Sequence, residues 1–541
     1  MRILVVGSGP SGVHFALTAL RKNHHVVMLD VGNARPATAL PDEDFLGLKR
    51  RLDDPAGYFL GPDFGSISLP APAPGADQEY YGLPPSKDYV FRQPGPFAMQ
   101  LDGFSPLVSF AAGGLAESWT GGSYPLNDDE LRAFPFGYEA LAPHYGEVAE
   151  RIGVAGGEDD LSICFPPHDH LQPMLDLDES GARLLAAYER RRERLISKYK
   201  ARLGRSRQAV LSSARSGRDA CTYCGRCLWG CPNGAFYTPS LTLRECRTYA
   251  NFEYVPNVFA SHLALAPSGA IEHVVGYDLN GGAENRWTAD AYVLACGTLS
   301  SSNLVLRSVY RSRNEIVRLT GLMDNRQVLA PFCNLPMLGR GFNARSYQYH
   351  QLAFGIEAEA PDRYVHGQIT TLKTATGHPI FRALPLDLKS SIGVFRALRS
   401  SLAVLNLNFC DWRRETNYLT LAADHTDAHG WPALSARYRP PPGESETIRA
   451  ASATARGFFR ELGAPLIPGM AHIRPMGSSV HYSGTLPMSA DRQAWAVSPD
   501  CRSYDIENLF VVDGSVMPFL PAKNLTFTLM ANAVRVAEAA F

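Results

Sequence analysis

Four cysteines fall close together at Cys221, Cys224, Cys227 and Cys231, with Pro232 directly after. The pattern C-x2-C-x2-C-x3-C-P is the ferredoxin-type run that holds an iron–sulfur cluster through thiolates. Soft sulfur ligands suit iron and zinc, and Gly225 and Gly230 let a short loop turn several sulfurs toward one point. Where two clusters are present the fourth cysteine of such a run serves the second one, but here there is a single run. Cys231 therefore folds back onto the same cluster, or a distant cysteine such as Cys246 completes it, or the cluster lacks one iron. [4Fe-4S] is expected first and [3Fe-4S] is its variant. A structural zinc held by four thiolates competes with both, and a metal-free relic is the third reading.

A second chemical signature opens the chain. Gly7, Gly9 and Gly12 give G-x-G-x-x-G directly after the apolar run Ile3 to Val6. Gly7 permits the tight turn, Gly9 lets a pyrophosphate approach the backbone, and Gly12 lets helix and strand pack closely. The helix that follows offers unpaired N–H groups and the positive end of its dipole to phosphate. A second strand, Val26 to Leu29, ends at Asp30, placed to accept a hydrogen bond from a ribose hydroxyl. Strand, glycines, helix, strand and acid in this order predict a dinucleotide site; the motif does not separate FAD from NAD.

The elements that position these groups require a large soluble fold. The chain has 541 residues, 45% of them apolar and 19% charged, with net charge −1. It is long enough for more than one domain, and its balance gives no reason to expect nucleic-acid binding. No uncharged apolar run reaches the length of a membrane span. The first strand starts at residue 3, and a cytoplasmic location is expected, where clustered cysteines point to metal rather than disulfides.

Along the chain, residues 33–100, with PAPAPG at 70–75, read as an irregular excursion. In FAAGGLAESWTGGSY, Gly113, Gly114, Gly121 and Gly122 bracket Trp119, which suggests backbone close to a flat ligand or else two turns around a core tryptophan. Asn127 to Val154 reads as a surface helix or two. The basic stretch 180–210 reads as a solvated helix face, with a docking surface for an acidic partner as the minor alternative. Asn257–Leu265 and Ala291–Ala295 read as strands, the latter running through Gly297 into a helix. Tyr347–Ile356 and Tyr418–Ala423 read as strands, Ile392–Phe409 as a core segment or helix–strand pair, and Glu444–Leu462 as a helix. The C-terminal segment reads as a strand, an Asp-Gly turn, a loop and a closing helix. On residue type alone, His481 is a core histidine and Asn524 a helix cap.

The segments GSGPSG with Asp30, GGLAESWTGG, VLACGTLSSSNLVL, HYSGTLPM and NLFVVDGSVMP…AKNLTFTLMANA occur in the order found in the glucose–methanol–choline (GMC) oxidoreductases, which the chain resembles over most of its length. The resemblance implies an α/β fold with a Rossmann-like FAD-binding domain and a sheet-based substrate-binding domain, built from interleaved segments. The FAD domain is expected over 1–160, 205–310 and 466–541, and the substrate domain mostly over 161–204 and 311–465. It further implies Gly7, Gly9, Gly12 and Asp30 at the ADP half of FAD, Val258 near the adenine, and Asp513 and Gly514 at the pyrophosphate and ribityl. Gly114 and Trp119 lie in its flavin-side glycine segment. His481 would be general base for a substrate hydroxyl and Asn524 a hydrogen-bond partner of the same oxygen, with hydride passing to flavin N5. Relatives similar to pyranose oxidases carry a flavin-linking histidine where this chain has Ser118, so non-covalent FAD and a sugar or polyol substrate are expected. The cysteine run resembles, at a different spacing, an insertion in bacterial sugar dehydrogenases of the family, which implies electrons leaving by an iron–sulfur cluster to a one-electron acceptor protein. An O2-using oxidase with zinc or empty cysteines, a non-catalytic flavoprotein scaffold and an NAD-dependent dehydrogenase remain as alternatives.

Overall fold

The computed structural model describes residues 1–34, 43–61, 63–64, 66, 83–343, 345–358, 360, 363–372 and 384–541. Its first layer grows from the apolar start of the chain. Arg2–Val6 and His25–Leu29 form adjacent parallel strands, joined by the helix Pro10–Arg21. Ala291–Leu294 and Leu509–Val511 extend this sheet on one side and Phe252–Val255 on the other, giving five parallel strands. Ile3 to Val6, Val26 to Leu29 and Ala291–Leu294 are buried on both faces and need the continuous apolar runs they have, while Phe252–Val255 at the sheet edge is part-exposed. The closing helix Thr526–Ala540 packs on Pro10–Arg21, so the two ends of the chain meet beneath one sheet.

The second large sheet has six antiparallel strands, in the spatial order His472–Ile473, Gln327–Cys333, Leu402–Asn408, Val365–Thr371, Leu352–Ile356 and Ala201–Arg205. Its period-2 alternation sorts its two faces. Val328, Ala330, Phe332, Ala403, Leu405 and Leu407 bury one face under the helices Glu444–Glu461 and Glu179–Glu189. The residues between them, Gln327, Leu329 and Asn406, face a cavity shared with the parallel layer.

Several expectations need correction. Residues 33–100 hold the short helices Phe45–Arg51, Pro55–Leu60 and Asp88–Phe91 and the strand Met99–Asp102. Asp44 and Asp54 start the first two by accepting the N–H of Gly47 at 2.9 Å and Gly57 at 2.8 Å, an N-cap signal that proline-rich surroundings obscure; PAPAPG lies outside the described residues. The strand expected from Tyr347 begins at Leu352. The basic stretch folds as Glu179–Glu189 and Arg192–Tyr199, and it meets the chain's own acids: Arg192 pairs with Asp160, while Arg194 and Lys198 pair with Glu461. For Ile392–Phe409 the expected helix–strand alternative holds, as Leu388–Leu398 and Leu402–Asn408. No helix among the described residues is long and apolar enough to cross a membrane.

Candidate active site

Between the two layers lies one continuous cavity of about 500 Å³. Gly7, Gly9, Asp30, Val258, Gly114, Trp119, Asp513, Gly514, His481 and Asn524 all line it. Residues separated by hundreds of positions are thus brought to one wall. Gly12 lies behind it, where a Cβ would collide with the Gly7 carbonyl oxygen, so its role is helix–strand packing.

The hydrogen bonds around His481 and Asn524 define both side chains. Asn325 Nδ2 donates to the carbonyls of Phe409 at 2.7 Å and Pro521 at 2.9 Å, which turns its Oδ1 toward His481 Nδ1 at 2.8 Å. An amide oxygen only accepts, so Nδ1 carries the proton and Nε2 keeps its lone pair. Gln368 Nε2 donates to Asn524 Oδ1, which turns the Asn524 amide nitrogen toward His481 Nε2 at 3.4 Å. Burial, with the nearby Arg474 charge adding to it, holds the His481 imidazole down to about 4. The site therefore presents a neutral imidazole nitrogen and an amide N–H side by side. Gly122 leaves the room this needs, because a Cβ there would sit 2.8 Å from Asn524 Oδ1.

Two buried carboxylates fix the loops carrying this pair. Asp324 accepts Gly477 N–H at 2.5 Å and the Ser479 hydroxyl, while Ser479 Oγ in turn accepts the His481 N–H at 3.0 Å. The turn so formed holds Val480 at φ +60°, an unfavourable conformation for a β-branched residue, directly before His481. Lys523, beside Asn524, pairs with Glu130 at 2.5 Å and donates to the carbonyls of Pro125 and Cys164, both at 2.7 Å. Asn524 is no helix cap: the closing helix begins after Leu525 without a side-chain cap. Asn325, Gln368, Asp324 and Lys523 were not singled out in the sequence, where they sit in no chemical pattern; their only sequence signal is a polar residue in an apolar strand or next to a motif residue.

The lining formed around Gly7 suits a dinucleotide. Gly7 has φ +100°, and a Cβ there would stand 2.7 Å from the Ala295 carbonyl oxygen; Gly114 would bring one to 3.2 Å from Gly9 Cα. Asp30 accepts from Ser8 Oγ and from Tyr254 OH at 3.1 Å, and burial pushes its carboxyl up to about 6. Asp513 ties the cavity floor together, accepting Gly297 N–H at 2.9 Å and Ser301 Oγ at 2.5 Å. Ser118 Oγ is buried on the cavity wall without a hydrogen-bond partner among the described residues, a polar group left for a ligand.

The cysteine run lies beside this cavity. Cys221, Cys227 and Cys231 pack against the apolar cluster that holds Phe236 and Tyr347, as do Trp119 and Tyr349, and the last two line the cavity together with Leu228. Gly225 at φ +74° and Gly230 at φ +113° supply the turns. Burial pushes the Cys221 thiol up to about 11 and raises Cys224 and Cys227, the other sulfurs of the run contributing to each shift. Among the described residues no three of these sulfurs come within 4.8 Å of one another. Cys246 is buried elsewhere, its sulfur toward the Val13 carbonyl at 3.7 Å, and does not complete the set.

Residues 413–533 match the family model GMC oxidoreductase. Over 99% of its length the chain is 25% identical to paromamine 6'-oxidase of Streptomyces fradiae, covering 90% of that protein. It is 22% identical to 2-methyl-1,2-propanediol dehydrogenase of Mycolicibacterium austroafricanum, over 99% of this chain and 94% of that one. Pyridoxine 4-oxidase from Mesorbium loti shares its fold, with a TM-score of 0.60 at 14% identity, covering 99% of this chain and 98% of that one.

Proposed function

We propose that this chain, whose residues 413–533 match the GMC oxidoreductase family model, oxidises an alcohol, most readily a sugar or polyol hydroxyl, to a carbonyl with non-covalent FAD. The observation carrying this reading is the neutral His481 Nε2 beside the Asn524 amide in a cavity that Gly7 and Gly9 of the glycine fingerprint also line. Gly7, Gly9, Asp30 and Val258 would hold the ADP half, and Asp513 and Gly514 the middle. FAD bound there supplies a two-electron hydride acceptor, and the chemistry of oxidation belongs to it. The chain supplies the rest. The Asn524 amide orients the substrate oxygen, and His481 Nε2 takes its proton. The charge on the imidazolium then spreads through Nδ1–H to Asn325.

In this reading Cys221, Cys224, Cys227 and Cys231 hold an iron–sulfur cluster that supplies a one-electron exit toward an acceptor protein. Support comes from the donor set and its spacing along the chain, and from Leu228 of the same run lining the cavity. A second reading, an oxidase using O2, is favoured by the oxidase names among the relatives. Visible spectroscopy of the purified protein tests the proposal. Acid should release the flavin to the supernatant, and in the untreated protein the bound flavin's absorbance should bleach anaerobically on addition of sugars or polyols. Protein without flavin, or flavin that no alcohol reduces, contradicts it, and hydrogen peroxide formed in air at the full turnover rate favours the oxidase.

A further inference from the structure

A second histidine lines the cavity, and neither the glycine fingerprint nor the catalytic pair uses it. His350 stands just ahead of the strand Leu352–Ile356. Gln208 Nε2 donates to its carbonyl at 2.9 Å, and Gln351 Nε2 donates to the Tyr347 carbonyl at 2.8 Å, so the backbone around it is tied down. The ring is held as well, with Nδ1 2.8 Å from Thr370 Oγ1. Among the described residues no hydrogen bond takes its Nε2. Burial holds this imidazole down to about 4, so it is neutral, with one donor and one acceptor nitrogen. Whichever tautomer Thr370 selects, Nε2 can serve a hydroxyl, which both donates and accepts.

The strand Val365–Thr371 sets where this ring stands relative to the chemistry. Side chains two apart share a face, so Thr370 lies on the cavity side with Gln368, whose amide meets Asn524. Two residues of antiparallel strand span about 6.8 Å. The anchor of His350 is displaced by that step from the anchor of Asn524, a reach suited to a ring or chain bearing several hydroxyls. Asn406, paired with Gln368 on the neighbouring strand, lines the same cavity. Its Oδ1 is buried with no hydrogen-bond partner among the described residues. A bare amide oxygen in a buried site carries a desolvation cost that a hydroxyl donor relieves.

We propose that His350 is a specificity-determining residue that binds a second hydroxyl of the substrate, remote from the one oxidised, so that the cavity selects diols and polyols over monohydric alcohols. The inference rests on the alcohol-oxidising reading to say which hydroxyl reacts, but binding tests it apart from turnover. Cyclohexanol, the cis and trans 1,2-, 1,3- and 1,4-cyclohexanediols and myo-inositol are titrated anaerobically into the FAD-loaded protein. Calorimetry follows binding and loss of flavin absorbance follows reduction. These rings share one size and differ in the number and placing of their hydroxyls. The best diol or myo-inositol should bind about tenfold or more tighter than cyclohexanol, since an analogue lacking a hydroxyl leaves its buried partner unpaired. In His350→Phe, which keeps a planar ring without its nitrogens, that advantage should shrink to about threefold or less, while affinity for cyclohexanol moves little. His350→Gln, which returns a donor and an acceptor, should recover part of it. Thr370→Val frees the ring and should lose part of the advantage with FAD content unchanged. Cyclohexanol bound as tightly as every diol and myo-inositol, an advantage unmoved by His350→Phe, or no binding by any of these compounds would overturn the proposal. If His350→Phe does not retain FAD, Thr370→Val decides, and an unmoved advantage there overturns it. Selective binding that depends on His350 but never bleaches the flavin would count against the alcohol-oxidising reading and leave the second-hydroxyl site standing.

Discussion

Asn325 Oδ1 accepts a hydrogen bond from His481 Nδ1 at 2.8 Å while the Asn325 amide nitrogen is spent on two backbone carbonyls. The amide cannot turn over without losing both, so it sets which imidazole nitrogen holds the proton. A histidine whose tautomer is fixed from behind presents its lone pair to the cavity before any substrate arrives.

Replacing Asn325 by alanine should therefore harm the reaction more than substrate binding. The rate of anaerobic flavin reduction at saturating substrate should fall by a factor within the ~10²–10⁴ that general base catalysis spans, with little change in apparent substrate affinity. A loss confined to affinity would show that Asn325 shapes the pocket and does not position the base.

Burial holds His481 down to about 4, so its neutral, proton-accepting form persists well below neutral pH. The flavin-reduction rate should stay level from about pH 8 to about pH 5.5, across the ordinary range for histidine, and fall as pH drops toward the folded value. Rapid-mixing measurements across that range check it. An acid limb centred near the ordinary histidine value would mean that His481 is more solvated than its surroundings indicate.

The buried Lys523–Glu130 pair anchors the loop before Asn524. Burial pulls the lysine down and the glutamate up, and each opposes the other's shift. Glu130→Gln leaves the cation without its counter-charge, which costs about 3–5 kcal/mol when a buried pair is broken. Chemical denaturation should show unfolding stability lowered by that order; unchanged stability would mean that the two backbone carbonyls accepting from Lys523 suffice.

The parallel layer was legible in the sequence because its signals are local. Ile3 to Val6, the three glycines and Asp30 lie within thirty residues, and strand, turn and helix follow from their types alone. Pairing of Ala291–Leu294 and Leu509–Val511 with them was not readable, since long-range register leaves no local mark. The same holds for the site. His481 and Asn524 stand in segments with recognisable patterns, whereas Asn325 and Gln368 acquire meaning only once two strands and two loops converge. Asn524 looked like a cap because asparagine before a helix often is one. Here tertiary contacts with Gln368 and His481 claim its amide instead.

Elemental analysis decides the cysteine run. Protein purified without oxygen should contain iron and acid-labile sulfide, and dithionite should change its paramagnetic resonance signal. Cys224→Ser should leave reduction of the flavin by alcohol within about twofold, small against a general-base effect, and slow transfer to one-electron acceptors by far more. Stoichiometric zinc with no iron would refute the cluster, and loss of both steps together would indicate a metal that holds the fold.

The most direct test of the central claim is the rate at which alcohol bleaches the bound flavin in the absence of oxygen, compared between the unaltered protein and His481→Ala. The variant should bind FAD as before and reduce it about 10²–10⁴-fold more slowly, with Asn524→Ala falling less. His481→Ala with a full complement of flavin and an unchanged rate would contradict the assignment of His481 as the base.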